Sequence, residues 1–465
     1  MLITEVGLHL QWGCSDDESG HPFLAVKCGN VGRQAMQAIK RSESLALLLE
    51  QENKRIQGLL GLRHTRMAQN PFSYFRGGAA VMASDLARKP HSDLIVQLCG
   101  DAHLMNFGFY ASPERELLFD INDFDETHPG PYEWDVVRLA TSLVIAARSI
   151  GLNNSKQESV CLRGVRAYGK AMVEFSKMPF MPMWVSHLCQ RQLKDKGASK
   201  NLKHHLKEVI SSALQRDSRH AVRKLCEVNE HGELRFRNNP PLVWRASDVP
   251  EQWKDKIDWE EWGARMYANY FRTIRPDLRH LFSQYRLVDN ALKVVGVGSV
   301  GTRCAISLFA GKHPDDVIVL QGKEASQSIL APYIVSTAPM HQGERVVQGQ
   351  LLMQTASDTF LGWTSTPGGD HVYIRHFRDW KGSVDLSCLD LEGLSDYAEL
   401  CAWALAKAHA RTGDRIGIAK HIGTPKKLAV AMLQQAMQHA EWNQHDYQRL
   451  VEAIAKGEIS SSSAP

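Results

Sequence analysis

QLCGDAHLMNFG, residues 97–108, places an aspartate, a histidine and an asparagine (Asp101, His103 and Asn106) within six residues. The apolar run LIVQLCG (94–100) predicts a short buried strand leading into it. A second strand, ELLFDIND (116–123), ends in FDINDFDETHPG (119–130), which holds Asp120, Asp123, Asp125 and Glu126. Unneutralised carboxylates beside two apolar strands point to a metal ion or a proton that has to be handled there.

Outward from this pair of loops, Trp134, Val137, Leu139, Leu143, Val144 and Ala147 recur at helical spacing, so HPGP (128–131) reads as a turn and 132–150 as a helix. Residues 33–61 read as one helix, and Arg76 as part of a loop entering a helix near Ala79. From 155 to 290 the chain reads as mostly helical, with KDKGASKNLKHHLK (194–207) a solvated face or loop. Near 291 the character changes. LKVVGVGSVGTRCAISLFAG reads as strand, glycine turn and strand, DVIVLQGKEA (316–325) as a third strand, and GERVVQGQLLMQ (343–354) as a helix. HVYIRHFRDWKG (371–382) reads as a strand, 394–411 and 426–456 as helices, and SSSAP as a frayed tail.

The glycines Gly296, Gly298 and Gly301 fit the GxGxxG spacing. A dinucleotide fold would need a helix after them. TRCAISLFAG alternates and predicts a strand, so the loop resembles the flap that covers ATP phosphates in protein kinases. Such a lobe needs a lysine on a following strand and a glutamate on the next helix. Lys323 and Glu344 stand at suitable positions, whereas Glu324 points to the opposite face of the strand. GDAHLMNFG resembles the catalytic loop of aminoglycoside and choline kinases. That resemblance implies Asp101 as base or hydroxyl-orienting group, with His103 beside it. It also implies Asn106 and Asp123 as Mg²⁺ ligands, Asp125 as a metal-assisting carboxylate, and Asp135 as the residue that steadies the loop. The local alternatives are a loop-capping Asp101 and Asx turns at Asn106 and Asp123. Asp120 reads as the end of a strand, and Trp134, Trp363 and His409 read as packed core. Arg76, Arg375, Arg378 and Lys381 have no assigned role beyond meeting an acidic group.

The order is inverted relative to a kinase, because the catalytic half precedes the flap. The expected fold is therefore α+β, a bilobal protein-kinase-like fold with circular permutation and a helical insert. Its segments are an N-terminal extension (1–60), a catalytic and metal-loop half with the insert (61–290), a nucleotide lobe (291–390) and C-terminal helices (391–460). Length supports several subdomains, since 465 residues exceed what one core comfortably serves. The whole chain resembles the DUF2252 family of bacterial proteins. NPFSYFRGGAAVMASDLA, QLCGDAHLMNFGFYASPERELLFDINDFDETHPGPYEWDVVRLATSL, VGVGSVGTRC, LQGKEASQSILAPY, GERVVQGQLLMQTASDTFLGW, YIRHFRDWKG and ALAKAHARTGD carry the likeness. Two features depart from the kinase pattern: Cys99 and Gly100 precede Asp101 where a histidine is common, and the metal element reads Asp-Phe-Asp.

The expected function is ATP- and Mg²⁺-dependent phosphoryl or nucleotidyl transfer to an unidentified small-molecule or protein acceptor. The alternatives are a nucleotide-binding pseudoenzyme and a metal-dependent hydrolase built on Asp101, His103, Asp120, Asp123 and Asp125. A net charge of +4 gives no argument for nucleic acid. The nine cysteines form no CxxC pair, which argues against a zinc knuckle or a disulfide framework. No basic leader and no apolar run of about eighteen residues is visible, so a cytoplasmic protein without a membrane span is expected.

Overall fold

A computed structural model describes residues 44–195, 198–253, 259–294, 296–335, 340–377 and 379–462. Arg378, Cys14, Cys28 and the first part of the expected 33–61 helix lie outside them. The fold is mixed α+β. Its strands are β1 (Ile95–Leu98), β2 (Phe107–Ala111), β3 (Leu117–Ile121), β4 (His128–Pro131), β5 (Leu188–Cys189), β6 (Cys226–Val228), β7 (Leu234–Phe236), β8 (Val243–Arg245), β9 (Arg286–Lys293), β10 (Cys304–Ala310), β11 (Val317–Glu324), β12 (Gly362–Ser365) and β13 (His371–His376).

The largest sheet is antiparallel throughout, in the order β12-β13-β11-β10-β9-β8. Alternation along its strands divides the side chains between two cores. Ala305, Ile318 and Leu320 pack with Met266, Tyr267 and Tyr270 of the Trp259–Thr273 helix. Ile306, Leu308 and Val319 pack on the other face with Ala221 and Phe236. Lys323 shares the parity of Val319, and Glu324 turns the other way to meet Arg303 Nη1 at 3.3 Å. The third and largest core is helical, where Tyr132–Ser149, Asn154–Lys177, Leu391–Thr412 and Pro425–Ala455 pack together. β1 lies against it, and so does the β2–β3 hairpin.

Several local expectations give way to tertiary contacts. The first described helix stops at Glu52 and the next α-helix runs Leu60–Met67, because Ile56 N donates to Gly301 O (2.8 Å) and so leaves the helix path. HPGP is a strand, not a turn: Leu98, Gln97, Val96 and Ile95 face His128 to Pro131 in a two-stranded ladder. Proline is tolerated there because no third strand needs its missing N–H. Arg76 sits in the last turn of a helix, Pro71–Gly77, which Asn70 caps through Ser73 N (2.8 Å) with Pro71 at its first position. Residues 200–214 form a helix that buries Leu202, Leu206 and Ile210, and the 155–290 stretch contains strands β5 to β8 as well as helices. The tail is held as far as Ser462, whose N–H donates to Gly61 O (3.2 Å). Trp134 is buried and Trp363 half-buried against the helical core. Among the described residues no helix is long and apolar enough to cross a membrane.

Candidate functional site

The 99–106 loop begins where β1 ends. Cys99 N and Gly100 N donate to the two oxygens of Asp135 (2.8 and 3.1 Å), and His409 Nε2 lies 3.3 Å from the same carboxylate. Asp135 therefore holds the loop from the first turn of the Tyr132–Ser149 helix. Gly100 is required: its φ is +82°, and a Cβ there would lie 2.2 Å from Glu126 O. Asp101 is presented next, 21 % exposed, with Arg138 Nη2 at 2.7 Å and His103 Nε2 at 3.5 Å. Asn106 Nδ2 ties the two acidic loops together by donating to Asp101 O and Asp123 O, both at 3.0 Å. That leaves Asn106 Oδ1 buried with no hydrogen-bond partner.

Asp123 and Asp125 face the sheet. Lys323, 2 % exposed, forms an ion pair with Asp125, whose other oxygen accepts from Tyr373 OH (2.7 Å). Burial alone would raise the Asp123 carboxyl, but Lys323, Arg375 and Lys381 override it and hold it well below the usual carboxylate range. Burial would likewise lower Lys323, yet Asp123 and Asp125 push it above an ordinary lysine. Glu344 does not reach Lys323; it accepts from Gln348 Nε2 (2.8 Å). Its neighbour Arg345 turns inward instead, donating to Thr127 O (2.5 Å), Asp125 O (2.8 Å) and Ser326 O (2.9 Å). The expected Lys323–Glu344 pair is thus replaced by Lys323–Asp125, with Arg345 fastening the Gln342–Met353 helix to the acidic loop.

The Gly296–Gly301 loop joins β9 to β10 and is held from outside by three arginines. Arg66 Nη1 donates to Gly296 O (2.6 Å), Arg63 Nη1 to Val297 O (3.2 Å) and Gly298 O (2.9 Å), and Arg55 Nη1 to Val300 O (2.6 Å). Arg63 is fully buried and also donates to Glu52 (2.9 Å) and Gly77 O (3.0 Å). With its carbonyls spent on guanidinium groups, the loop keeps the N–H groups of Val297, Gly298 and Ser299 free of any other partner among the described residues. A Cβ on Gly298 would stand 3.2 Å from Arg76 O, so the loop approaches the helix that carries Arg76 at backbone distance.

These elements enclose a cavity of about 720 Å³. Asp101, His103, Asn106, Asp123 and Asp125 line one side, and Gly296, Gly298 and Ser299 line another; Lys323 lies behind Asp125. The helical insert contributes Arg216 and Lys224. Arg55, Arg76, Arg216, Lys224, Arg375 and Lys381 all face this cavity, and among the described residues none of the six forms an ion pair. Arg375 donates instead to Gln321 Oε1 (3.0 Å) and Arg216 to Lys381 O (2.7 Å). Burial and Arg375 push Lys381 down to about 7, and burial, against Asp101, brings His103 down to about 4. Burial raises Glu126 to about 7 although Ile329 N donates to it (2.8 Å).

Asp120 is not part of this site: it forms a buried ion pair with Lys407. Among the described residues, no three of Asp101, His103, Asp120, Asp123 and Asp125 bring ligand atoms within 4.8 Å of one another. Asn106 Oδ1, without a hydrogen-bond partner, and the Asp123 carboxylate on the same cavity wall are oxygen atoms that could hold a hard divalent cation. Arg55, Arg63, Arg66 and Arg345 carry no motif or spacing signal. The one hint is a cluster of basic residues in GLRHTRM on a helix that has to bury one face.

No curated protein and no solved structure matches the chain. The profile of one family, described as an uncharacterized protein conserved in bacteria (DUF2252), matches residues 55–453. That span contains every residue of the cavity except Gln51, and the chain belongs to the DUF2252 family.

Proposed function

We propose that the cavity binds ATP with Mg²⁺ and transfers a phosphoryl or nucleotidyl group to an acceptor, on a circularly permuted protein-kinase-like fold. The observation that carries this reading is the set of six basic side chains, none in an ion pair among the described residues, around one cavity beneath a glycine loop with unspent amides. Basic groups gathered around one cavity repel one another, and a polyphosphate would compensate them. The run from β9 through the glycine loop, β10, β11 with Lys323 and the Gln342–Met353 helix supports a nucleotide lobe over 291–390.

Asp101, held by Arg138, is positioned to orient an acceptor hydroxyl and take its proton. His103, pushed down to about 4, stays neutral near pH 7; its Nε2 lies 3.5 Å from Asp101 and its buried Nδ1 has no hydrogen-bond partner, so it would meet the acceptor. The lone Asn106 Oδ1 and the anionic Asp123 fit a magnesium ion, which when bound would neutralise charge on the transferring group. Lys323, Arg375 and the loop amides would grip phosphate oxygens. The insert, through Arg216 and Lys224, would meet the acceptor or the far end of the nucleotide.

Permutation draws support from the end of the Leu391–Thr412 helix. Gln97 N of β1 donates to Thr412 Oγ1 (3.1 Å), and a Cβ on Gly413 would lie 2.8 Å from Ile95 O. ALAKAHARTGD (404–414) resembles the helix that precedes the catalytic loop in the conventional order, and here that helix ends against the strand that enters the 99–106 loop. The pseudoenzyme alternative is favoured by one feature, the engagement of Lys323 by Asp125 in place of Glu344. Calorimetric titration with ATP, with and without Mg²⁺, on wild type and Lys323→Met tests the reading. Binding strengthened by Mg²⁺ and weakened by the substitution is expected, and no binding to wild type would overturn it. Turnover in an acceptor screen then separates a transferase from a pseudoenzyme.

A further inference from the structure

The β2–β3 hairpin has Asn106 just before it and Asp123 just after it, and its outer edge is completed by β5, a strand of two residues. The register pairs Leu118 with Cys189 and Phe119 with Leu188. Side chains alternate along a strand, so Cys189 shares a face with Leu118 and Glu116, and His187 lies on that face too. Cys189 occupies the middle, with Glu116 reaching in from one side and His187 from the other. The carboxylate oxygen, the imidazole nitrogen and the sulfur all lie within 4.8 Å of one another.

The histidine shows how the cluster is oriented. His187 Nδ1 is 3.0 Å from Val185 O, and a carbonyl can only accept, so Nδ1 carries a proton. In a neutral imidazole the lone pair is then on Nε2, and Nε2 lies 3.7 Å from Glu116 Oε2. In that tautomer both atoms accept, so a proton, a water or a metal ion has to bridge them, and one ion held at about 2.0–2.2 Å from each would span their separation. A backbone carbonyl on the far nitrogen is also how metal-binding histidines are commonly oriented. Cys189 is a free, buried thiol, while His187 and Glu116 are 36 % and 44 % exposed, so the cluster opens to solvent above the sulfur.

We propose that Glu116, His187 and Cys189 form a site for one transition-metal ion of the zinc class, with a water completing the tetrahedron. Sulfur and imidazole nitrogen select zinc-like ions over magnesium or calcium, so this site is chemically separate from the cavity and independent of the function proposed for it. Binding exchanges the Cys189 S–H proton for the metal–sulfur bond and releases that proton to solvent. The ion would clasp β5 to the hairpin between Asn106 and Asp123.

The test titrates Co²⁺, then Zn²⁺, into the full-length chain after treatment with a chelator. One equivalent of Co²⁺ should give a thiolate-to-cobalt charge-transfer band that Zn²⁺ bleaches, and Zn²⁺ should raise the melting temperature. Cys189→Ser should remove the band, and His187→Ala should weaken binding by about 100-fold or more, beyond the usual effect of an outer-shell change. Alanines at His204 and His205, which form a separate exposed cluster with Glu208, should leave the band intact. A wild-type chain without the band would overturn the proposal, as would equal Zn²⁺ affinity in wild type and His187→Ala. Because His187 is on the surface, the second comparison holds even if Cys189→Ser does not fold.

Discussion

Arg63→Lys separates the shape of the glycine loop from the charge beneath it. Arg63 makes four hydrogen bonds, one to Glu52 and three to the carbonyls of Val297, Gly298 and Gly77. A lysine keeps a cation beside Glu52, which avoids stranding a buried carboxylate, but it has no planar fork to span three carbonyls. At ~1.5 kcal/mol or somewhat more for each bond from a charged donor, losing two of the three destabilises the loop by about 3 kcal/mol. Arg55 and Arg66 still hold Val300 and Gly296, so the loop should loosen without the chain unfolding. Hydrogen exchange should therefore quicken at Ile56, Val300 and Thr302, whose N–H groups donate to loop carbonyls, and in the Leu60–Met67 helix before it does so in β9 or β10. If the loop must be closed to bind nucleotide, a smaller closed fraction weakens apparent affinity in proportion. A tenfold loss of MgATP affinity, about 1.4 kcal/mol, is expected by calorimetry. Faster exchange with unchanged affinity would refute the link between loop shape and binding. Unchanged exchange would refute the clamp itself.

Asp101→Asn should cut turnover by about 10²-fold or more while MgATP affinity measured by calorimetry holds, because the amide keeps the shape and loses the proton acceptor. Lys381, lowered to about 7 by burial and Arg375, is faced by Asp123, Asp358, Arg375 and Lys323, and its two pH effects have opposite signs. The unfolded lysine holds its proton up to about 10.4, so stability in urea should rise with pH between about 7 and 10. Affinity for inorganic triphosphate should fall over the same interval as the ammonium is lost, and Lys381→Met should flatten both profiles. Lys407→Met strands the buried Asp120 carboxylate and should cost about 3–5 kcal/mol in chemical denaturation, with much of it recovered in Lys407→Met/Asp120→Leu.

What was legible in the sequence follows the range of the interactions. Asp101, Asn106 and Asp123 were readable because loops between short strands keep their spacing in the fold, and all three line one cavity. The strand that carries Lys323 was readable from DVIVLQGKEA, and alternation puts Val319, Gln321 and Lys323 on one face of it. Its partner was not, because choosing between Glu344 and Asp125 depends on how a helix rolls against a distant loop. Arg345 occupies the inward position that spacing alone assigned to Glu344. The break after Glu52 was hidden for a similar reason. Helical periodicity continues through Ile56, and only the hydrogen bond to Gly301 turns the backbone away. HPGP misled because proline usually marks a turn, and a two-stranded ladder is one of the few sheets that accepts it.

The three arginines change what the glycine loop can be. A flap joined only to its own strands is free to lift, and each binding event has to order it again. Here its carbonyls are taken up by Arg55, Arg63 and Arg66, all from the stretch that precedes the 99–106 loop in the chain. Glu52 joins Arg63 to His64, and His64 Nδ1 meets Ser460 O at 2.6 Å, so the described C-terminal segment belongs to the same clamp. In the proposed permuted order, the segments at the two described ends of the chain meet behind the loop. Ser44 Oγ donates to Asp446 Oδ1 (2.8 Å) in the same region. Permutation would then do more than reorder a fold. It would leave the segments on either side of the cut, around Glu52–Arg66 and Asp446–Ser460, beside the glycine loop, where they hold it in one shape, so the ordering cost falls on folding and not on ligand binding.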